Sequence, residues 1–166
     1  MSHQKWSDDQ EYLSYVQDLL DQPAVQKLAN YTQHHHSTRL DHSISVSYRS
    51  YLLGKKWHLN VRALARAGLL HDLFYYDWRV TKFSLGTHAY VHPRIALRNA
   101  EKLTDLSAME KDIIIKHMWG ATLGMPKYKE TVVVSLVDDY AAVDEYLMPQ
   151  LHKLAHPFHR LEHAHE

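Results

Sequence analysis

Residues 61–74 read VRALARAGLLHDLF, and this stretch decides the fold. Its apolar residues recur every three or four positions, which predicts a helix with one buried face. Asn60 stands directly before it as a helix cap, and the helix ends in the polar pair His71-Asp72. Two adjacent side chains at a helix end point about 100° apart, so both can reach one ion near the helix tip. The stretch therefore predicts a buried helix that brings a histidine and a carboxylate to one place.

Helical signals of the same kind continue along most of the chain. Caps, a terminating glycine and a proline at a first helical position set the expected boundaries, at Ser7, Ser37 or Thr38, Gly54, Asn60, Pro93 and Ser107. We expect helices over about residues 7–21, 24–31, 37–53, 60–71, 93–102, 107–117 and 130–147, with loops over 75–90 and 120–129. Pro149 and Pro157 interrupt a histidine-rich tail, 148–166, to which the pattern assigns no structure. The sequence thus predicts an all-α fold with at most a trivial amount of strand.

The composition excludes several classes of protein. Among 166 residues, 19 basic side chains balance 19 acidic ones, whereas a binder of nucleic acid polymers needs a basic surface. The absence of cysteine excludes disulfides, cysteine–zinc sites, iron–sulfur clusters and thiol catalysis. No apolar run approaches the roughly 18 residues of a membrane span, and the start, MSHQKWSDDQ, lacks the apolar stretch of a signal peptide. We expect a single cytoplasmic domain that binds no membrane and no nucleic acid polymer, and the sequence leaves its oligomeric state open.

Histidine is the unusual component, with 15 residues, and it is the commonest metal ligand in proteins. Besides the pair at 71–72, helical periodicity places His42, His117 and Asp138 on faces that should be buried. A buried polar group needs a partner, and a buried charge needs an opposite charge or a metal. One inward histidine is usually an ordinary core residue, but four helices that each direct a histidine or an aspartate inward predict a metal site between them.

The order His42, His71-Asp72, Asp138 resembles the signature of the HD-domain superfamily of metal-dependent phosphohydrolases. The likeness covers about residues 38–147 and includes GLLHDLF around the doublet. The segments HPRIALRNA and HMWGATLGMPKYKETVVVSLVDDY are similar to those of a subgroup of uncharacterised bacterial HD proteins. The resemblance implies a single HD-domain helical bundle whose metal-binding core spans about 38–147. It also implies a first metal ion bound by His42, His71, Asp72 and Asp138.

Two further histidines match places where HD proteins with two metals carry ligands. The resemblance implies a second ion held by Asp72, His92 and His117, with Asp72 bridging the two ions. His88, four residues before His92, is an alternative, although the pattern HP-xx-A favours His92. Asp139 competes in the same way with Asp138, and the family pattern S-L-x-D favours the first of the two.

Six ligands of the type His4Asp2 favour one or two divalent transition metal ions. Iron and manganese come first, and zinc, nickel, cobalt and magnesium stay open. The resemblance implies hydrolysis of a phosphate ester or anhydride by metal-bound hydroxide, with Asp72 at the reacting centre. The substrate would be a nucleotide or another small phosphorylated molecule. A phosphate needs positive charge beside the metals. Arg79 and Lys129 are better candidates for this charge than Lys82 and Lys127. Each of the four could equally be an ordinary charged residue on the surface.

Two other functions share this scaffold. Some HD-fold proteins use the same six ligands as di-iron oxygenases, and a metal-containing bundle can also serve as a non-catalytic sensor. Aromatic residues near the expected mouth of the site could stack on a base, although ordinary packing is the commoner role: Tyr75, Tyr76, Trp78, Phe83, Tyr90 and Trp119. The histidine run 34–36 is expected to be a surface turn.

Overall fold

The computed structural model describes residues 5–34, 37–84 and 86–155. Seven α-helices occur in the described part: α1 (Gln10–Leu20), α2 (Pro23–Gln26), α3 (Arg39–Trp57), α4 (Val61–Leu70), α5 (His88–Ala100), α6 (Ala108–Lys116) and α7 (Lys129–Ala155). Two 3-10 turns (Trp6–Asp8 and Lys27–Asn30) and one antiparallel pair of short strands, β1 (Thr32–His34) and β2 (Ser37–Thr38), complete it. The all-α prediction is confirmed. Within the described residues, no helix is both long and apolar enough to cross a membrane.

Helix α4 lies at the centre of the bundle. Every residue from Ala63 to Leu70 is buried, and α4 contacts α1, α3, α5, α6 and α7. The apolar core around it combines side chains from these helices, including Val16, Val46, Leu69, Ile113 and Val134. The C-terminal end of α4 is therefore surrounded by the middle of α3, by α5, by the end of α6 and by the middle of α7.

Two glycines let α3 and α4 approach each other closely. A Cβ atom on Gly68 would stand 2.9 Å from the Cα of Ser47, and one on Gly54 would stand 2.4 Å from Leu64 Cδ1. We predicted that Gly54 ends α3, and that is wrong. The helix continues to Trp57, and His58 ends it in a left-handed conformation with φ of 55°. Gly54 provides space for α4 rather than a stop.

The start of α1 also differs from the prediction. Asp9, not Ser7, caps the helix, because its carboxylate accepts the backbone N–H of Tyr12 at 3.0 Å. The hydroxyl of Ser7 donates to Asp8 within the preceding 3-10 turn. The predicted caps at Asn60 and Ser107 are present, and each side-chain oxygen accepts a backbone N–H three residues further on.

Two prolines lie inside helices where we expected boundaries. Helix α5 begins at His88, five residues before Pro93, so the loop predicted over 75–90 ends earlier. Helix α7 continues through Pro149 to Ala155 rather than ending near residue 147. A proline removes one backbone hydrogen bond from a helix, and the bonds on either side of it maintain the helical path here.

Candidate metal centre

The six side chains predicted as metal ligands converge at the C-terminal end of α4. They come from five places along the chain: His42 from the middle of α3, His71 and Asp72 from the end of α4, His92 from α5, His117 from the end of α6 and Asp138 from the middle of α7. All but Asp138 are buried, and Asp138 is mostly covered. The packing of four helices around α4 thus brings polar residues that are up to 96 positions apart into one cluster.

One half of the cluster is built around Asp138. Its Oδ1 lies 2.8 Å from His42 Nε2 and 3.4 Å from His71 Nε2. The nearest ligand atoms of these three residues all lie within 4.8 Å of one another. Three donors at such distances surround a volume that a single metal ion can occupy.

The other half is built around Asp72. Its Oδ1 lies 3.3 Å from His92 Nε2 and 3.7 Å from His117 Nε2, while its Oδ2 lies 3.9 Å from His71 Nε2. Ligand atoms of His71, Asp72 and His117 also lie within 4.8 Å of one another. The two carboxylate oxygens of Asp72 therefore face different histidines, as a residue shared by two ions would require.

All four histidines have the same orientation. The Nδ1 atoms of His71, His92 and His117 lie 2.7, 2.9 and 2.9 Å from the backbone carbonyls of residues 68, 88 and 114. Nδ1 of His42 lies 3.0 Å from a carboxylate oxygen of Glu145. A carbonyl or carboxylate accepts, so Nδ1 carries a proton in each ring, and Nε2 of the neutral ring presents a lone pair to the centre. This tautomer is the one that metal-ligating histidines adopt.

This arrangement of ligand atoms fits a metal ion. The Nε2 atoms of His92 and His117 face each other at 2.8 Å, and both present lone pairs when the two rings are neutral. The Nε2 atom of His71 is buried and makes no hydrogen bond within the described residues. Lone pairs of neutral imidazoles repel one another, and a cation between them removes the repulsion. The donor set of imidazole nitrogens and carboxylate oxygens suits a divalent transition metal.

The electrostatics of the cluster hold both carboxylates in their charged form. Burial would raise the pKa of Asp72, yet the charge of His71 and the hydrogen bond from His92 lower it well below its usual value. The pKa of Asp138 is lowered for the same reasons, because His71 and His42 outweigh its burial. Both aspartates are therefore ionised at neutral pH and available as ligands.

Two of the histidines differ in the direction of their shift. Burial, together with the neighbouring His92, lowers the pKa of His117 to about 3, so His117 is neutral. Burial acts on His42 in the same direction, but its hydrogen bonds to Asp138 and Glu145 raise its pKa to about 10. Binding a metal through His42 Nε2 would therefore release a proton.

Three residues that support the centre were not predicted from the sequence. Glu145, two turns after Asp138 on α7, accepts from His42 and also from Ser37 at 2.6 Å. Gln33 of β1 donates its amide to Asp72 Oδ2 at 2.8 Å, and its amide oxygen accepts from Arg39 Nε at 2.9 Å. Arginine can only donate, so Arg39 fixes the orientation of the Gln33 amide and with it one oxygen of Asp72.

The two alternative ligands lie beside the cluster. The ring of His88 stacks on that of His92 at 4.3 Å, and its Nδ1 lies 3.3 Å from the hydroxyl of Tyr76. Asp139 is exposed, although it lines the same cavity as Asp138. The side chains of His92 and Asp138 thus lie within the cluster, and His88 and Asp139 lie at the wall of the cavity above it.

One cavity adjoins the cluster, and a larger one shares a wall residue with it. The smaller, about 170 Å³, opens directly over the cluster and is lined by Gln33, His42, Asp72, Trp78, His88, His92, Met118, Asp138, Asp139 and Ala142. The larger, about 700 Å³, is lined by Asn30, Tyr31, Thr32, Arg39, Asp77, Trp78, Arg79 and Tyr146. Trp78 belongs to both linings, so its indole lies where the two cavities meet.

The predicted phosphate-binding residues differ in position. The guanidinium of Arg79 donates to the backbone carbonyl of Gln33 at 2.7 Å and lies at the larger cavity. Lys129 is exposed at the first residue of α7 and is not among the described residues that line either cavity. Of the aromatic residues expected at the mouth, Trp78 alone lines these two cavities within the described chain.

Several of the remaining histidines lie outside the described residues. In the run 34–36, the backbone of His34 ends β1, and His35 and His36 lie outside the described residues. The tail after Ala155, with His156, His159, His163 and His165, also lies outside them.

Comparison with known proteins agrees with the geometry. A model of the HD domain family matches residues 39–143. No curated protein and no solved structure matches the chain significantly. HD domains bind divalent metals, and most of them are metal-dependent phosphohydrolases. Since the matched region covers more than half of the chain and contains all six clustered side chains, the chain belongs to the HD domain family.

Proposed function

We propose that this protein is a metal-dependent phosphohydrolase that cleaves an ester or anhydride of a nucleotide or another small phosphorylated molecule. The observation that carries the proposal is the position of Asp72, whose two oxygens face different histidines. In the proposed site, His42, His71, Asp72 and Asp138 hold one divalent ion, and Asp72, His92 and His117 hold a second. Two ions so placed would supply Lewis acid chemistry, polarising a phosphoryl oxygen and lowering the pKa of water.

The chain's own residues prepare the site in two ways. Glu145 and the backbone carbonyls hold four imidazoles with Nε2 inward, and Gln33 holds Asp72, so the ligand set is organised before a substrate binds. The reaction adds water across a phosphorus–oxygen bond, and it needs no covalent intermediate with the protein. The complete absence of cysteine is consistent with this route.

The cavities support a small substrate. A space of about 170 Å³ above the cluster is suited to a phosphate group rather than to a polymer. The adjoining 700 Å³ can accept the remainder of the molecule, with an indole and two phenol rings in its wall. Arg79 lies at this larger cavity, and we propose that its positive charge binds the remainder of the substrate, such as a second phosphate group.

Phosphate release from metal-loaded protein tests the proposal. The protein is purified anaerobically without heating, loaded with Mn²⁺ or Fe²⁺, and assayed against a panel of nucleotides and sugar phosphates. We expect release of phosphate by the wild-type chain and loss of this activity in Asp72→Ala. If the loaded protein releases no phosphate but consumes O₂ with an organic substrate, it is an oxygenase. If both assays are silent with metal bound, the sensor function is favoured.

A further inference from the structure

An exposed apolar stripe runs along α7 on the side away from the metal cluster. Leu136, Tyr140, Val143 and Leu147 follow one another at intervals of four, three and four residues, and between 45% and 60% of each is exposed. This is the spacing of a seam at which one helix packs against another. The stripe is about 16 Å long at 1.5 Å per residue.

Helix α3 widens the stripe into a face. Leu52 and Trp57, near its C-terminal end, are also exposed, and a groove of about 400 Å³ lies between them and α7. Its lining is almost wholly apolar, with one charged residue, Arg49, whose guanidinium lies 5.0 Å from the ring centre of Tyr140. We call this surface the α3–α7 face, and define it by Leu52, Trp57, Leu136, Tyr140, Val143 and Leu147.

The area of this face is unusual for a surface that meets only water. About half of each of the six large side chains is exposed. The two aromatic side chains have roughly 150–250 Å² each to bury, and the four aliphatic ones are somewhat smaller. With about half of each exposed, the six together expose on the order of 600 Å². That is the upper end of the largest apolar patch on typical monomers, at roughly 300–600 Å². Two such faces together amount to about 1,200 Å², the lower end of stable, specific protein interfaces.

The charges at the two ends of the face favour a second copy of the same chain as the occupant. Lys56, exposed beside Trp57, stands at one end, and Asp144, beside Val143, stands toward the other. Asp144 keeps part of its surface exposed while it binds Arg49 at 2.8 Å. A twofold axis across the stripe would set two α7 helices antiparallel, so that the basic end of each face meets the acidic end of its partner.

We propose that two copies of this chain form a homodimer through the α3–α7 face, about a twofold axis that crosses α7. The protruding Leu136 and Tyr140 of each copy fill the apolar groove of the other. This interface is independent of the phosphohydrolase proposal, because it uses the side of α7 opposite Asp138. In the dimer, the partner's α7 packs on the helix that carries Asp138, in addition to α3, α4 and α6 of the same chain.

Sedimentation velocity of the full chain at about 50 μM tests the dimer. The wild-type protein should sediment as a species of twice 19.5 kDa. Leu136→Glu should sediment as a monomer with an unchanged circular dichroism spectrum, because a carboxylate would be buried without a partner at the interface. Leu123→Glu is the matched control, since Leu123 is fully exposed on the loop before α7, and it should remain a dimer. A monomeric wild-type chain, or a dimeric Leu136→Glu chain, would overturn the proposal.

Cross-linking gives a second test that does not depend on a disruptive substitution. The natural chain has no cysteine, so Val143→Cys introduces a single thiol into the face. A short bis-maleimide should join two Val143→Cys chains at low micromolar concentration, and it should leave Leu123→Cys unlinked. Equal linking of the two variants would show that contact is random and would contradict the interface.

Discussion

His92 Nε2 and His117 Nε2 lie 2.8 Å apart, and each ring has its Nδ1 at a backbone carbonyl. When both rings are neutral and both Nδ1 atoms keep their protons, neither Nε2 atom can donate to the other. The helices α5 and α6 therefore hold two lone pairs against each other in a buried position. Such an arrangement costs folding free energy unless an added proton or a metal ion relieves it, so metal binding and the stability of this bundle should be linked.

Metal ions should stabilise the folded chain. A ligand present at 100 times its Kd adds about 2.7 kcal/mol to the free energy of unfolding. For a domain of this length, that corresponds to a rise in Tm of roughly 5–10 °C. Differential scanning calorimetry of metal-free protein with and without Mn²⁺ measures the rise, and Asp72→Ala should show little of it. A Tm that none of Mn²⁺, Fe²⁺, Zn²⁺, Ni²⁺ or Co²⁺ changes would contradict the link.

Replacing Glu145 should weaken metal binding although Glu145 is not itself a proposed ligand. Its carboxylate orients His42, and loss of such a partner typically lowers metal affinity 10- to 100-fold. Calorimetric titration of Glu145→Ala with Mn²⁺ measures the change. Asp144→Ala is the neighbouring control, because Asp144 pairs with Arg49 at the surface and should leave affinity within about twofold. An equal loss of metal affinity in the two variants would show that Glu145 does not orient His42 for metal binding.

Substitution of Arg79 or Lys129 should lower turnover more than it lowers metal content, and the loss of turnover should differ between the two variants. Arg79 lies at the larger cavity, whereas Lys129 is an exposed charge that solvent screens. Arg79→Ala should lower kcat/KM by about tenfold or more, and Lys129→Ala should have a smaller effect. Steady-state kinetics with the best substrate of the panel, alongside metal analysis of each variant, checks this. Loss of metal from Arg79→Ala would assign it a structural role instead.

Trp78 should contribute to substrate binding because it forms part of the wall of both cavities. Trp78→Ala should raise KM by about tenfold, equivalent to 1.4 kcal/mol, while both metal ions remain bound. Tyr90→Ala is the control, since Tyr90 is an exposed aromatic residue that lines neither cavity. A KM that rises equally in the two variants would mean that the larger cavity does not hold substrate.

The sequence predicted most of the fold because helix caps and apolar spacing are local signals. Asn60 and Ser107 act where their spacing places them. The helix boundaries predicted at Gly54 and Pro93 are wrong, because tertiary packing rather than local sequence determines the role of each residue. Gly54 makes room for Leu64 on another helix, and Pro93 lies in a helix that begins five residues before it.

The HD motif predicted the clustered residues but not the residues that hold them in place. Glu145 follows Asp138 by two helical turns, so its place on the same side of α7 could have been read from the spacing. Gln33 and Arg39 had no such signal, because a short strand pair brings Gln33 to Asp72. Lys129 lies near the clustered residues in sequence, yet it is the first residue of α7 and is exposed there.

The number of metal ions bound per chain tests the central claim most directly. Elemental analysis of anaerobically loaded protein should find two equivalents in the wild type and in His88→Ala, one in His92→Ala, and none in Asp72→Ala, because Asp72 is shared. A His92→Ala chain that keeps two equivalents would contradict the account, since either His88 is then the ligand or the second site does not exist.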